Sequence, residues 1–338
     1  MLSSSINQSY ITGADFDDGY VSVTADRCVA CVDFRYIEAV KNSVAKGIDA
    51  ELAKGSTLEC AIDILLSSGV KNIAVEENDL SVATFKKISQ MVGERAELSE
   101  GANAVLSQMR AVKTAEEIEK IAAAQKITDA AFEHILKVMT PNMTERDVAL
   151  ELEFFMRKNG AEAMAFDVIS VSGKASALPH GVPRNLKLEN GFLTMDFGAK
   201  VDGYCSDMTR TVVIGRADSE MKRLYNTVLE AQKAALEVLC EGFSCADADK
   251  TARDIINGAG YEGCFGHSLG HGVGRYIHEE PRLSSKADGI LKVGNVVTVE
   301  PGIYIEGKYG CRIEDMVAIT EKGIHNFTKS KKELIELF

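Results

Sequence analysis

Histidine is scarce in this chain, six residues in 338, yet four of the six stand in unusual company. His180 lies in Leu178-Pro179-His180-Gly181. His267, His271 and His278 fall in the run FGHSLGHGVGRYIHEEPRL, residues 265–283. Glycines at 266, 270, 272 and 274 work against a helix there, since each costs about 1 kcal/mol in a helix interior. His267 and His271 are therefore not a helical i, i+4 zinc pair. An extended, glycine-rich segment instead lets backbone and ligand approach closely. His134 and His325 lack such neighbours and read as ordinary core or surface groups.

Carboxylates supply the second half of the chemistry. In GFLTMDFGAKVDGYCSDMTRTVV, Asp196 sits in an apolar strand and Asp202-Gly203 is a tight-turn signal. With that turn, Val201 faces Tyr204, Asp196 faces Thr209 and Asp207 faces Gly198. Residues 194, 196, 198, 205, 207 and 209 then share one sheet face. Asp196 and Asp207 become diagonal neighbours roughly 7–8 Å apart, and a slip of one residue would separate them to opposite faces. In VVTVEPGIYIEGKYGCRIEDMVAI, Glu300 follows an apolar strand and precedes Pro301-Gly302. Glu314 reads as part of a second strand, with Arg312 on its face and Asp315 on the opposite one. Exposure or pairing with arginine accounts for Asp315 and Glu306. It does not account for Asp196, Glu300 and Glu314, whose strands are apolar on both faces, because burying an unpaired carboxylate is costly. Four carboxylates near a histidine point to metal ions. The donor set suits two ions of Mn²⁺, Co²⁺, Fe²⁺ or Zn²⁺, and water between two such ions ionises at neutral pH, which is hydrolytic machinery.

The elements that position these groups follow from pattern. The length suggests about two domains. Strands over Tyr20–Phe34, helices over Arg35–Lys46 and Leu58–Ser67, a strand over Asn72–Glu76 and a helix from an Asp79 cap to Val92 make a βαβα rhythm. A shift in composition near residue 110 divides a domain over 1–110 from one over 111–338. Thr114-Ala115-Glu116-Glu117 is a capping box opening a helix that Thr140-Pro141 stops. Further helices fit the segment after Thr144 to Asn159, then Ser219–Cys240 and Ala246–Ala259. Strand pairs fit Phe192–Phe197 with Tyr204–Val213, and Val296–Tyr304 with Arg312–Ile319. The fold class is thus α+β, a small α/β domain followed by a larger mixed one.

Composition excludes several classes of function. Lysine and arginine number 38 against 50 aspartates and glutamates, a net charge of −12, and no basic run offers a nucleic-acid surface. No apolar stretch reaches the roughly 18 residues of a membrane span. MLSSSINQSY lacks the features of a signal peptide, so the cytoplasm is the expected compartment. The eight cysteines are scattered, and Cys28-Val29-Ala30-Cys31 lies in a strand pattern with no second pair to complete a zinc site.

The motifs Pro179-His180-Gly181, Asp196-Phe197-Gly198, Ser206-Asp207-Met208-Thr209-Arg210-Thr211, Gly270-His271-Gly272-Val273-Gly274, His278-Glu279, Val299-Glu300-Pro301-Gly302 and Arg312-Ile313-Glu314-Asp315 occur in this order. Together they resemble the pita-bread metallopeptidases, and within them the Xaa-Pro aminopeptidases and Xaa-Pro dipeptidases (prolidases). The resemblance covers residues 110–332 strongly, and extends through Tyr10-Ile11-Thr12-Gly13 and Asp33-Phe34-Arg35-Tyr36 to a creatinase-like N-terminal domain, short at its start. It implies a pita-bread catalytic domain with two divalent ions, Mn²⁺ first, and Co²⁺, Zn²⁺ or Fe²⁺ as alternatives. The implied ligands are Asp196, Asp207, His271, Glu300 and Glu314. Asp196 serves one ion, His271 and Glu300 the other, and Asp207 and Glu314 bridge.

By the same resemblance, Glu300 takes a proton from the water, which leaves a metal-bridging hydroxide to attack the peptide carbonyl. His180 and His278 bind substrate and stabilise the tetrahedral oxyanion, and His267 lines the proline-side pocket. Arg282 corresponds to an arginine that grips a dipeptide carboxylate. Thr209 and Arg312 orient the ligands. The implied partners are a short peptide with proline second and a second copy of the chain. One segment departs from the pattern. Gly274-Arg275-Tyr276-Ile277-His278-Glu279 is closer to methionine aminopeptidases than to the Gly-Leu-Glu-Val-His-Glu of proline-specific enzymes. The alternatives are thus a methionine aminopeptidase-like exopeptidase or a non-catalytic, peptide-binding member of the fold; the intact ligand set speaks against the latter and against metal-free creatinase chemistry.

Overall fold

The computed structural model describes residues 1–338, and the chain divides into two units, Met1–Met109 and Arg110–Phe338. In the first, the strands Gly19–Val23 and Cys28–Val32 pair antiparallel, and Asp49–Leu52 joins Cys28–Val32 in parallel. Cys28–Val32 takes the middle place because Val29 through Val32 are buried on both faces. Helix Thr57–Ser67 buries Leu58, Ala61, Ile62 and Leu65 at helical spacing, in a core shared with Ile73, Ile88 and Val92.

Two details of this unit differ from the sequence pattern. The helix expected from Asp79 begins at Val82, and Ser81 caps it by accepting from the Thr84 N–H at 3.1 Å. Serine adjacent to the first turn takes the cap, and Asp79 instead accepts from Asn103 at 2.7 Å. Helix Ser5–Thr12 has no apolar stripe to announce it; Ser4 caps it, and Gly13, at φ 76°, ends it in the left-handed region.

The second unit repeats one plan. A long helix, Ala115–Val138, is followed by Glu145–Lys158 and the strands Gly191–Phe197 and Met208–Ile214. Ser219–Val238 is likewise followed by Cys245–Gly258 and the strands Val296–Val299 and Asp315–Thr320. Capping boxes at Thr114 with Glu117 and at Thr144 with Asp147 open the first two helices. Asp218 and Ser244 cap the other two. Leu224, Val228 and Ala231 of one helix and Ala252 and Ile256 of the next share a core with Phe192, Val213, Val297 and Val317 of the strands. One sheet runs in the order Glu336–Leu337, Met208–Ile214, Gly191–Phe197, Ile169–Ser172. Another runs Glu279–Leu283, Gly270–Gly272, Val296–Val299, Asp315–Thr320, Gly323–Asn326.

Both hairpins are broken, at Asp207 in the first and at Glu300 and Glu314 in the second. At the first, Asp202 (φ 48°) and Gly203 (φ 79°) form the expected turn, Val201 pairs with Tyr204, and Asp196 pairs with Thr209. Asp207 lies in the gap between strands Tyr204–Cys205 and Met208–Ile214. At the second, the expected single pair is two ladders. Val296–Val299 pairs with Asp315–Thr320, and Gly302–Ile305 pairs with Tyr309–Arg312. Pro301, which has no N–H, interrupts one strand, and Glu314 falls in the opposite gap rather than in a strand. The register Val299 to Asp315 and Gly302 to Arg312 continues unshifted across the gap, so Glu300 and Glu314 occupy matching places in it. Freed from their own ladder, the Glu300 N–H donates to Leu269 O at 2.8 Å and the Glu314 N–H to Thr209 O at 3.1 Å.

Candidate metal centre

Donor atoms of Asp207, His271 and Glu314 lie within 4.8 Å of one another, and all three residues are buried. His271 Nε2 is 3.5 Å from Asp207 Oδ2 and 3.3 Å from Glu300 Oε1. Its Nδ1 is 3.1 Å from the Gly272 carbonyl. A carbonyl only accepts, so Nδ1 carries the proton and Nε2 presents its lone pair to the carboxylates. Arg312 donates to Asp196 Oδ2 at 2.6 Å, while Asp196 Oδ1 is buried without a partner. Glu314 is held in the same way: Thr209 donates to Oε2 at 2.8 Å, and Oε1 is buried and bare.

The electrostatics of the group are unbalanced. Burial, then the charges of Glu314, Asp196 and Glu300, push Asp207 well above the usual carboxylate range. Burial, then Glu300 and Asp196, push Glu314 up as well. Glu300 is pushed up to about 7 by burial, against the opposing pull of Arg312. Burial pushes His271 down to about 3, which keeps the ring neutral. Four carboxylates thus meet one buried guanidinium, with two bare oxygens and one bare imidazole nitrogen among them. An oxygen-rich set with one nitrogen and surplus negative charge fits divalent cations.

Arg312 and Thr209 organise the carboxylates from behind. Arg312, 3% exposed, donates from Nε to Thr209 Oγ1 at 2.9 Å and from NH1 to Tyr304 OH at 2.8 Å. Tyr304 OH in turn meets His267 Nε2 at 2.8 Å, and His267 Nδ1 meets the Ser268 carbonyl at 2.8 Å. Burial pushes His267 down to about 4, so its neutral ring accepts from the tyrosine. Tyr304 was not among the residues singled out from the sequence. Its signal lay in its neighbours: Gly302 and Gly310 flank the ring, and a Cβ on either would strike it.

A cavity of about 510 Å³ opens onto these groups. Its lining includes Asp196, Asp207, His271, Glu300 and Glu314. His180, His267, His278 and Arg282 line it too, so the candidate ligands and substrate-binding residues meet one space, with Thr209 behind it. The His278 ring stands edge-on to His271 at 4.5 Å, and burial, then Arg282 and His180, lower its pKa. His180 and Arg282 are exposed on the cavity wall. Phe166, Val168, Ile169, Val182 and Ile277 add an apolar side. Asp315, by contrast, points away from this chemistry, buried in an ion pair with Arg210 at 2.8 Å and Lys332 at 2.6 Å.

Known proteins share both parts of the chain. The sequence profile described as Metallopeptidase family M24 matches residues 119–321, and that of the Creatinase/Prolidase N-terminal domain matches residues 1–112. An uncharacterized peptidase of Bacillus subtilis is 42% identical over 338 residues, covering 100% of this chain and 95% of its own. A solved Xaa-Pro dipeptidase from Bacillus anthracis superposes with a TM-score of 0.95 at 39% identity, over 99% of this chain and 94% of that one. An X-Pro aminopeptidase from Thermotoga maritima gives 0.92 at 36% identity, over 99% and 95%. Such likeness along the whole length carries the pita-bread catalytic fold with it, and the chain belongs to metallopeptidase family M24, with a creatinase/prolidase domain at its N-terminal end.

Proposed function

We propose that the protein hydrolyses the bond between an amino-terminal residue and a following proline, in dipeptides or short peptides. The observation that carries this reading is the convergence of four carboxylates and a neutral histidine, with bare buried oxygens, on a cavity walled by further histidines and an arginine. The bond itself is taken from the structural relatives, a Xaa-Pro dipeptidase and an X-Pro aminopeptidase.

In this reading Asp196, Asp207, His271, Glu300 and Glu314 hold two divalent ions, Mn²⁺ first. Bound ions supply Lewis acidity and make water a nucleophile at neutral pH. The protein's own groups do the rest. Glu300 takes up the water's proton at Oε2, since Oε1 is engaged by Thr298 at 3.2 Å and faces His271. His278, its pKa lowered, offers a neutral N–H to the oxygen that gains charge in the transition state, and His180, also on the cavity wall, donates to the same oxygen. His267, fixed by Tyr304, walls the proline side. Arg282 receives the dipeptide's carboxylate. Residues 111–338 form the catalytic domain and residues 1–110 the N-terminal one. Family resemblance supports a homodimer, and eight free thiols suit the reducing cytoplasm.

The test is a panel of Ala-Pro, Ala-Pro-Ala, Met-Ala-Ser and Ala-Ala-Ala, each with protein stripped by chelator and reloaded with Mn²⁺, Co²⁺ or Zn²⁺. Cleavage of a proline peptide and not of the last two is expected. Equal cleavage of Met-Ala-Ser or Ala-Ala-Ala would overturn the proline assignment.

A further inference from the structure

A second buried charge cluster lies outside the carboxylate group. Glu279, its side chain 1% exposed, meets Lys113 Nζ at 3.1 Å through Oε2 and Arg110 Nε at 3.1 Å through Oε1. Lys113 is itself 1% exposed at its side chain, and Arg110 13%. The Tyr276 N–H donates to the same Oε1 at 3.0 Å. The carboxylate presses on Gly274, where any Cβ would collide with it. The loop from Gly274 to Glu279 is thus folded over its own last residue. The cations beneath are also tied down: the Lys113 N–H donates to Gly294 O at 2.8 Å, and Asn295 donates to Ala111 O at 2.8 Å.

His278 immediately precedes this anchor, and its ring stands 4.5 Å from that of His271. Burying an ammonium and a carboxylate is an expensive way to fill space, and apolar side chains of similar volume are often as stable or more so. What the cluster provides is direction: a carboxylate with two cations and an amide on it holds one orientation. Neither cation is part of the cavity lining.

We propose that Lys113 and Arg110, through Glu279, are positioning residues for His278. They set the loop so that the imidazole meets the developing oxyanion. This rests on the reading of His278 as a group that touches substrate. Neither Lys113 nor Arg110 belongs to any of the functional motifs.

Two measurements test it on the full, Mn²⁺-loaded protein. The first is hydrogen exchange of the amides of residues 274–279 in Lys113→Met, with residues 296–299 as the internal reference. Faster exchange confined to the loop is expected; unchanged loop exchange overturns the proposal whether or not a substrate is known. The second is a kinetic cycle with Ala-Pro. Lys113→Met should lower kcat about 10- to 100-fold, the scale of a misplacement near 1 Å, and leave KM within about twofold. In a His278→Ala background the same substitution should change kcat no further. An equal fall in both backgrounds overturns the positioning role while leaving His278 in place. A fully active His278→Ala removes the reading of His278, and the proposal with it. Arg110→Gln, at a less buried site, replaces Lys113→Met in both measurements should that variant not fold.

Discussion

Arg312 grips Asp196, with NH2 2.6 Å from Oδ2, as the buried guanidinium among four carboxylates. Its Nε also holds Thr209 at 2.9 Å, and Thr209 holds Glu314 at 2.8 Å. One side chain therefore orients two of the proposed ligands on separate hairpins. Removing one partner of a buried pair leaves a charge uncompensated. Arg312→Met should cost about 3–5 kcal/mol of stability in chelator, and the loss should shrink when Mn²⁺ is added, because bound ions restore positive charge and stabilise the folded state by mass action. Urea unfolding with and without Mn²⁺ measures both. A loss unaffected by Mn²⁺ would count against the proposed ligand set.

Asp207→Asn and Glu314→Gln carry the opposite sign. In the metal-free protein each carboxylate is repelled by its neighbours, so neutralising one should raise the unfolding midpoint in chelator. With metal present the same change should lower bound Mn²⁺, measured by elemental analysis, and cut hydrolysis by at least about 100-fold, since even groups that merely orient metal ligands are worth 10–100-fold. Near-normal activity in either variant would remove it from the proposed ligands.

The carboxylate face of the first hairpin was legible because Asp202-Gly203 fixes its turn and hence the register that sets Asp196 opposite Thr209. The second hairpin lacks such a marker, and Pro301 hid a gap that appears only when Glu300 and Glu314 turn their N–H groups to other strands. Tyr304 stayed hidden for another reason. Its role comes from two partners, His267 and Arg312, that strand periodicity does not bring together. The Lys113–Glu279 pair spans 166 residues, and nothing local in either segment announces it.

Glu145 offers a check on the fold that is independent of the metal. It is fully buried and accepts from Ser172 N at 2.6 Å and from Arg184 Nε at 2.8 Å. Burial opposes its charge, but Arg184 and Ser172 prevail and hold its pKa below the ordinary 4.5. A lowered native pKa gives stability that is present above the unfolded value and lost as pH falls through the native one. Glu145→Gln should therefore be less stable than wild type at pH 7 in chelator, and the gap should close as pH falls below about 4.5. Urea midpoints at pH 7, 5 and 3 test this; a gap that stays constant would show that the carboxylate's charge is not what it contributes.

Arg282 bears on whether the enzyme favours dipeptides. It is exposed on the cavity wall, four residues after His278, on the strand Glu279–Leu283. Its backbone N–H donates to Glu280 Oε2 at 3.1 Å, and its charge works to lower the pKa of both Glu300 and His278. A dipeptide presents its free carboxylate next to proline, whereas in a tripeptide that position is a neutral amide and the charge lies one residue farther on. Only the dipeptide should gain a charge-assisted, bidentate contact. Such a contact is worth about 1.5–3 kcal/mol, roughly 10- to 150-fold in kcat/KM at 1.36 kcal/mol per decade. Arg282→Ala should therefore lower kcat/KM for Ala-Pro by that factor and leave Ala-Pro-Ala nearly unchanged. Because the residue is exposed and outside the carboxylate group, stability and bound metal should stay at wild-type levels. A ratio of the two kcat/KM values that does not move would take the arginine out of substrate recognition, and with it the chain's own argument for dipeptides over longer peptides.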